Sequence, residues 1–309
     1  MGSLPPMLIL AGPTASGKSR LALEIADRLN GVVINADAMQ VYREMRIITA
    51  RPSPADEEQV NHRLYGFLSV KKPCSAGSWR ELAAREIAIA CDLGRLPIVV
   101  GGTGLYLKAL LGGITEIPKV NSDIRQQALL LHDKIGAQAF HKKLAKVDPE
   151  AAQRLPENDT QRLTRAYEVY LATGVPISNW YKNAPVSKPI EANVQTFLLE
   201  PARKELYAMC DQRFDLMLES GALNEVRNLM KLNLNPSLPA MKALGVRELI
   251  SHIKGDKTLL QATEDAKRAT RNYAKRQITW FRNQNGKVKY HFAQYSESLL
   301  KEMLSKIRF

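Results

Sequence analysis

The chain reads Gly12-Pro13-Thr14-Ala15-Ser16-Gly17-Lys18-Ser19 directly after the apolar run Met7-Leu8-Ile9-Leu10. A helical pattern begins around Arg20, so the eight residues connect a strand to a helix and match a P-loop in its usual setting. The glycines permit a tight turn, and the loop N–H groups converge with the positive end of the helix dipole on a polyphosphate. Lys18 adds a point charge, and the Ser19 hydroxyl is a candidate ligand of Mg²⁺. The stretch therefore predicts a phosphate-binding site at residues 12–19.

Two further predicted strands end close to this loop. Val32-Val33-Ile34-Asn35 leads to Asp37, and the apolar run from Leu96 to Val100 leads into Gly101-Gly102-Thr103-Gly104. A P-loop ATPase usually holds its Mg²⁺ with an aspartate after such a strand, and the second run ends without a carboxylate. Asp37 is therefore the acid that the sequence places near the loop. From the residues alone, it either organises a metal ion or accepts a proton from a nucleophile.

Composition favours a basic intracellular protein with a sizeable core. The 309 residues are 45% hydrophobic and carry a net charge of +13, which attracts polyanions. The three cysteines are far apart and lack the spacing of a zinc site or a disulfide framework. No long apolar stretch or signal-peptide pattern is present, so we expect a cytoplasmic protein without a membrane segment.

The order of patterns predicts an α/β fold: a P-loop NTPase-like parallel sheet with helices on both faces and an all-helical insertion domain. Strands and helices alternate in the first third of the chain, which is typical of a parallel sheet. Helical periodicity then dominates until Val194-Gln195-Thr196-Phe197-Leu198-Leu199 supplies one more strand. We therefore expect residues 1–118 to form the first part of the core, 119–192 the insertion, and 193–309 the core completion with basic C-terminal helices.

Two helices carry notable positive charge. Residues 267–289 include eight basic side chains and no acidic ones, and Arg271 and Lys275 share one helical face with Arg268 and Arg282. This face suits an anionic partner, with Ala269, Tyr273, Trp280 and Phe281 docked on the protein. A solvated surface face is the alternative, although such a face usually mixes both signs of charge.

The second basic helix lies in the predicted insertion. Gln161 and Arg165 share a face with Arg162 beside them, a combination suited to phosphate and base-edge contacts. Glu157 and Glu168 are near enough in sequence that internal ion pairs are an alternative for these arginines.

Five blocks of the chain together resemble the bacterial tRNA dimethylallyltransferase family, also called tRNA isopentenyltransferases. The blocks are Gly12 to Ser19, Asn35 to Tyr42, Gly101 to Tyr106, Asp159 to Ala166 and Arg271 to Phe281. The resemblance implies that the P-loop binds the diphosphate of dimethylallyl diphosphate, and that the prenyl group passes to N6 of the adenosine immediately 3′ of the anticodon. It also implies Mg²⁺ as cofactor, the tRNA anticodon stem-loop as partner, and a monomer without an obligate protein partner.

The resemblance assigns roles to individual residues. Asp37 becomes the acceptor of the N6 proton, and Thr103 positions the substrate. Lys18, the loop amides and Arg213 neutralise the departing diphosphate, with Mg²⁺ on Ser19. Thr14 also matches an active-site threonine of the family.

The same resemblance implies a set of tRNA contacts. They are Asp37, Ala38, Met39, Gln40, Thr103, Arg125, Gln161, Arg162, Leu163, Thr164, Arg165, Lys242, Gly245 and Arg247, to which the basic helical face adds Arg271 and Lys275. Three positions depart from the family pattern: Glu44 and Ile48 replace usual glycines, and Val246 stands in a block that commonly carries a tyrosine.

Other functions remain open at this stage. A P-loop nucleotide kinase would use ATP, and an adenylate isopentenyltransferase would carry out the same chemistry on a free nucleotide. The basic helices and the insertion disfavour the second, since a mononucleotide needs no such surface. A non-catalytic RNA-binding protein would leave the P-loop and Asp37 without a purpose.

Overall fold

The computed structural model describes residues 4–284, 290–292 and 295–309, and it describes 290–292 by their backbone alone. The described chain forms one parallel sheet with the strand order β3-β2-β4-β1-β5-β6. Its strands are β1 (Pro6–Ala11), β2 (Gly31–Asn35), β3 (His62–Arg63), β4 (Leu96–Gly101), β5 (Asn193–Leu199) and β6 (Tyr290–Phe292). The predicted parallel α/β class is confirmed.

Helices occupy most of the remaining described chain. They are α1 (Lys18–Arg28), α2 (Pro54–Gln59), α3 (Ala76–Asp92), α4 (Gly104–Gly112), α5 (Ser122–Ile135), α6 (Ala137–Val147), α7 (Pro149–Arg154), α8 (Thr160–Thr173), α9 (Ile177–Asn183), α10 (Arg203–Glu219), α11 (Ala222–Lys231), α12 (Val246–Ile253), α13 (Leu259–Arg282) and α14 (Glu297–Lys306), with a short 3₁₀ helix at Pro239–Lys242. Of these described helices, none has the length and low charge that crossing a bilayer requires.

The central strand β1 is apolar throughout because helices cover both faces of the sheet. Leu8, Ile9 and Leu10 are completely buried, as expected for a parallel strand without a solvent-facing side. On one face of the sheet, Leu8 and Leu10 share a core cluster with Leu21 and Ile25 of α1 and Met303 of α14. This packing fixes α1 directly behind β1, so that the loop between them lies at the carboxyl edge of the sheet.

The chain divides into two compact units. The first, called the core unit here, comprises Met1–Leu111 with Ile190–Phe309, and the second, the insertion unit, comprises Gly112–Pro189. The break at Gly112 falls several residues before the predicted start of the insertion at residue 119.

The insertion unit has its own hydrophobic core. Phe140, Leu144 and Leu163 are fully buried there, with aromatic contacts between Phe140 and Tyr167. Buried Asp148 accepts hydrogen bonds from the Ala151 N–H and the Ser178 hydroxyl, at 2.9 and 2.7 Å. These bonds satisfy the buried carboxylate and cap α7. Because Ser178 belongs to α9, they also join α7 to α9.

Candidate active site at the carboxyl edge of the sheet

The P-loop joins β1 to α1 through a left-handed turn at Gly17, whose φ is 84°. A β-carbon at Gly17 would lie 2.7 Å from that of Tyr295, so a side chain there would meet both a steric and a conformational penalty. Lys18 folds back over the loop, and its ammonium donates to the Pro13 carbonyl at 2.9 Å. The Ser16 hydroxyl is buried and has no hydrogen-bond partner among the described residues. The loop therefore holds a polar atom that a phosphate oxygen would satisfy.

A cavity of about 380 Å³ opens beside the loop. Loop residues 15–20, including Ser19, form one side, and Met209, Gln212, Arg213 and Leu216 of α10 form the other. The Arg213 guanidinium donates to the Thr14 hydroxyl, which places a second cation against the loop. The cavity thus has a cation on each side, together with apolar side chains from α10.

Lys18 and Arg213 are cations in a poorly solvated place. Burial, with help from Arg213, lowers the pKa of Lys18 to about 8, and Asp37 opposes this shift by favouring the charged form. Burial likewise lowers the pKa of Arg213, an effect that the negative charge of Asp37 partly offsets. A bound polyanion would stabilise both cations, so the loop is electrostatically suited to diphosphate.

Asp37 is held at the end of β2 by the buried side chain of Asn35. The Asn35 amide donates to the carbonyls of Asp37 and Leu64, both at 3.0 Å, and its oxygen accepts the Asp37 N–H at 2.8 Å. Asp37 Oδ1 in turn accepts the Met39 N–H at 2.9 Å. The carboxylate is half-buried and its orientation is fixed by the backbone, as a general base requires.

Thr103 lies against the Asp37 turn. Its N–H donates to the Ala36 carbonyl at 3.2 Å, and its Oγ1 accepts the Ala38 N–H at 2.9 Å. The Tyr273 side chain also hydrogen-bonds to Thr103, and burial raises the pKa of this phenol. The sequence-predicted Asp37 and Thr103 are therefore brought together with Tyr273, which the sequence analysis expected to dock on the protein but did not assign to the site.

Helix α13 packs closely on the glycines before and after Thr103. A β-carbon at Gly102 would lie 2.2 Å from Gln277 Nε2, and one at Gly104 would lie 2.3 Å from the Trp280 ring. Gln277 makes two hydrogen bonds here: its Oε1 accepts the Thr14 N–H at 2.8 Å, and its Nε2 donates to the Gly102 carbonyl at 2.9 Å. One buried amide thus joins the P-loop to the β4–α4 loop.

The basic face of α13 differs from the prediction. Its buried stripe consists of Thr270, Ala274, Gln277 and Phe281 with earlier small residues, and the half-buried Tyr273 and Trp280 contact Thr103 and Gly104, so the difference lies in the basic side chains. Most of the basic side chains on this helix form ion pairs: Arg271 with Asp211 at 2.6 Å, Lys267 with Asp215 at 2.8 Å, Arg282 with Glu200 at 2.5 Å, and Arg268 with Asp265. Lys275 is exposed, with no ion pair found in the described part of the chain. Lys287 and Lys289 lie outside the described residues.

The predicted tRNA contacts in the core unit differ in how far they are exposed. Ala38, Met39 and Gln40 are half-buried, and the Gln40 amide donates to the Thr49 and Ala50 carbonyls, each at 2.9 Å. Lys242 and Arg247 are exposed. Gly245 is buried at the start of α12 with φ of 85°, where a β-carbon would lie 2.6 Å from the Phe214 ring. This glycine permits the packing of Phe214 and the turn that starts α12, and its contact with tRNA stays a prediction.

The predicted tRNA contacts in the insertion unit also differ in exposure. Gln161, Arg162 and Arg125 are exposed, whereas Leu163 is fully buried and Thr164 is 5% exposed. Leu163 and Thr164 therefore hold α8 in its core and do not present side chains to a partner. Arg165 is half-buried and pairs with Glu168 at 2.6 Å, which is the internal ion pair considered above.

The three departures from the family pattern have local explanations. Glu44 accepts the Val70 N–H and the Ser69 hydroxyl, both at 3.0 Å. Ile48 is buried, 3.0 Å from where a Gly245 β-carbon would stand, and Val246 is fully buried. All three side chains therefore stabilise the core unit.

Two further polar residues organise the site and were not identified from sequence. Glu225 of α11 accepts the consecutive N–H groups of Arg46, Ile47 and Ile48 at 2.9, 2.9 and 2.8 Å, and so holds the loop that follows Asp37. Gln277 could have been found, because a polar residue on the buried stripe of a helix needs a specific partner. Nothing in the sequence connects Glu225 to its distant partners.

Comparison with known proteins gives a consistent result. The IPP transferase family model matches residues 40–284. The tRNA dimethylallyltransferase of Rhodospirillum centenum is 53% identical over 284 residues, covering 92% of this chain and 90% of that protein. The tRNA dimethylallyltransferase of Paramagnetospirillum magneticum is 48% identical over 303 residues, covering 98% and 96%.

Solved structures agree with the sequence relatives. The tRNA isopentenylpyrophosphate transferase from Bacillus halodurans superposes with a TM-score of 0.69 at 32% identity, covering 97% of this chain and 95% of that one. A eukaryotic dimethylallyltransferase acting on tRNA gives a TM-score of 0.80 at 24% identity, over 99% of this chain and 81% of that one, and supports the fold.

Proposed function

This chain belongs to the IPP transferase family, and from this premise we propose that it is a tRNA dimethylallyltransferase. It transfers the dimethylallyl group from dimethylallyl diphosphate to N6 of the adenosine immediately 3′ of the anticodon, and it releases diphosphate. The observation that carries this proposal is the juxtaposition of a phosphate-binding loop with an oriented carboxylate: Gln277 bonds the P-loop to Gly102, and the adjacent Thr103 accepts the N–H of Ala38, which directly follows Asp37.

The loop supplies what a departing diphosphate needs. Lys18 and Arg213 are two cations at the loop, and the Ser16 hydroxyl is a buried polar group available to an oxygen acceptor. As the allylic C–O bond breaks, negative charge grows on the leaving diphosphate, and preorganised cations stabilise that charge. The apolar Met209 and Leu216 line the same cavity, which suits a ligand with a hydrocarbon part.

Mg²⁺ fits this donor set. Ser19 is exposed and lines the cavity directly after Lys18, the usual position of the P-loop serine that ligates this ion. Across the described residues, no cluster of three or more His, Cys, Asp or Glu side chains is placed to hold a metal. The metal proposal rests on Ser19 and the substrate's own oxygens. When bound, Mg²⁺ would add charge neutralisation to that of Lys18 and Arg213.

Asp37 acts as the proton acceptor. The N6 lone pair of adenine is delocalised into the ring, so the amine becomes a useful nucleophile only if its proton is removed as the N–C bond forms. The new bond uses the nitrogen electron pair, the C–O pair leaves with the diphosphate, and the proton passes to the carboxylate. Thr103 accepts the Ala38 N–H, and from this place it positions the adenosine beside Asp37.

The target adenosine must leave its stack to reach a pocket at the edge of the sheet. Exposed polar and basic side chains are the candidates for holding the anticodon stem-loop: Lys242, Arg247 and Lys275 on the core unit, and Arg125, Gln161 and Arg162 on the insertion unit. Arg165 and Arg271 become contacts by exchanging an internal carboxylate for a phosphate. We further propose that the protein acts as a cytoplasmic monomer.

Incubation with labelled dimethylallyl diphosphate tests this function directly. Separate reactions receive unmodified tRNA, the same tRNA with the target adenosine replaced by guanosine, or AMP. Label on the unmodified tRNA alone supports the proposal. Label on AMP, label on the guanosine variant, or ATP hydrolysis without prenyl transfer contradicts it.

A further inference from the structure

The geometry points to Gln277 as a positioning residue that sets the diphosphate loop and the proton-accepting turn in register. This inference rests on the proposed function and extends it to a side chain that touches neither substrate. Gln277 is 5% exposed, and it comes from α13, far along the chain from both loops that it connects.

The amide connects the P-loop to the β4–α4 loop just beyond Ala11 and Gly101, the last paired residues of β1 and β4. On one side it holds Thr14, whose hydroxyl accepts from Arg213 and whose neighbour Pro13 holds the Lys18 ammonium. On the other side it holds Gly102, which directly precedes Thr103. A chain of hydrogen bonds thus runs from the phosphate cations to the residue beside Asp37.

The chain continues through Thr103 to the base. Thr103 Oγ1 accepts the Ala38 N–H, and the Asp37 carboxylate accepts the Met39 N–H in the same turn. A shift of the β4–α4 loop relative to the P-loop would therefore change the distance between the leaving group and the proton acceptor. Errors of about 1 Å in such geometry cost on the order of 100-fold in rate.

Glutamine is chemically specific for this position. The Thr14 N–H needs an acceptor and the Gly102 carbonyl needs a donor, and a primary amide supplies both at the ends of one rigid group. The absence of a β-carbon at Gly102 leaves room for the amide, since that atom would lie 2.2 Å from Nε2. Methionine fills a similar volume with neither bond, and ionised glutamate keeps the acceptor but loses the donor.

The experiment compares the full-length Gln277→Met, Gln277→Glu and Thr270→Val variants. Thr270→Val is the matched control, because Thr270 lies on the same buried stripe and its hydroxyl bonds only within the helix, to the Ala266 carbonyl at 2.8 Å. Prenyl transfer to tRNA gives kcat and KM, filter binding gives the tRNA Kd, and hydrogen–deuterium exchange reports on the peptides that contain Thr14.

Positioning predicts a lower kcat with unchanged binding. Gln277→Met should lose about 10- to 100-fold in kcat while the tRNA Kd changes by less than about twofold, and Thr270→Val should keep its kcat. Exchange at the Thr14 peptide should quicken in Gln277→Met and not in Thr270→Val. A folded Gln277→Met with wild-type kcat, or an equal loss in Thr270→Val, overturns the inference.

Gln277→Glu provides a second test if the methionine variant does not fold. Its carboxyl restores both bonds only when protonated, and burial favours that form. Its kcat relative to wild type should therefore rise as the pH is lowered from about 8.5 to about 6. A ratio that is independent of pH contradicts the inference. If wild-type protein modifies no tRNA, the proposed function fails separately, and the exchange data still decide whether Gln277 joins the loops.

Discussion

Asp37 illustrates at the residue scale how a common side chain becomes a candidate catalyst. Asn35 fixes the backbone on either side of it, and the Met39 N–H orients one carboxylate oxygen. The side chain remains half-buried, so it is reachable by a substrate while its rotation is restricted. Its function therefore depends on a neighbour that touches no substrate.

Asp37→Asn should slow the chemical step by about 10²- to 10⁴-fold, because the amide keeps an oxygen for the Met39 N–H but cannot accept a proton. Single-turnover prenyl transfer measures the rate, and filter binding measures tRNA affinity. The control is Asp27→Asn, which removes an exposed carboxylate from α1. A loss of tRNA affinity proportional to the loss of rate would remove Asp37 from its assignment as base.

The lowered pKa of Lys18 predicts that anion binding depends on pH. Its pKa of about 8 means that the ammonium is charged below that pH and loses its charge above it. Affinity for inorganic pyrophosphate should fall as the pH rises from about 7 to about 10. Lys18→Arg should not show this fall, because a guanidinium stays charged over the range. Any pH dependence that remains in this variant is that of pyrophosphate itself, so the variant serves as the control. Parallel declines in calorimetry of both proteins would exclude Lys18 as the cause.

The same shift has a consequence for stability. The pKa of Lys18 is lower in the folded protein than in the unfolded chain, so folding releases a proton between these two values. Since the unfolded state binds more protons there, the contribution of Lys18 to the free energy of unfolding increases as the pH rises through this range.

At the scale of elements, α13 determines how the loops of the sheet edge are arranged. It brings Gln277 to Gly102 and Trp280 to Gly104, and both approaches exclude a β-carbon. Gln277 and Trp280 are spaced i, i+3 on neighbouring parts of one helical face, and they reach two glycines that are two residues apart. The glycines after β4 thus permit a helix to pack where side chains would keep it away.

Gly104→Ala should destabilise the protein by about 1–3 kcal/mol, because the new methyl group would overlap the Trp280 ring. Gly77→Ala is the control: Gly77 lies in α3, and the nearest atom to its β-carbon would be 3.9 Å away. This second change should stabilise α3 by up to about 1 kcal/mol. Urea denaturation of both variants measures the difference, and equal midpoints would argue against the close packing.

Local sequence patterns predicted the elements that are long and apolar and missed those defined by distant partners. Strands β1, β2, β4 and β5 follow from their apolar runs, and α1 from its position after the P-loop. The strand β3 comprises only His62–Arg63, which is too short for a pattern, whereas β6 lies in an alternation of polar and apolar residues from Lys287 to Phe292 that the sequence analysis overlooked. The ion pair of Arg271 with Asp211 was missed for a related reason, since it depends on how α10 and α13 pack.

The whole molecule carries a charge of +13, but many cations near the site are internally neutralised. The four ion pairs of α13 reduce its effective charge, so Lys275, which is exposed and has no ion pair among the described residues, is a remaining candidate contact for phosphate. Net charge therefore describes long-range attraction to tRNA, whereas side-chain pairing decides which residues can make close contacts.

Lys275→Ala should weaken tRNA binding and reduce the slope of log K against log salt by about 1. Lys301→Ala on α14 removes the same charge from another exposed helix position and should leave the slope unchanged. Filter binding over a series of salt concentrations provides the comparison. Equal slopes for both variants would show that Lys275 contributes only to the long-range electrostatic attraction of tRNA.

The order of strands in the sheet has a consequence for biosynthesis. β1 pairs with β4 on one side and with β5 on the other, and the whole insertion unit is translated between β4 and β5. At roughly 5–20 residues per second, the ribosome needs several seconds to make that segment. If β1 and β4 pair during this interval, the edge of β1 that later binds β5 is left open, and we expect the nascent chain to be most prone to aggregation then.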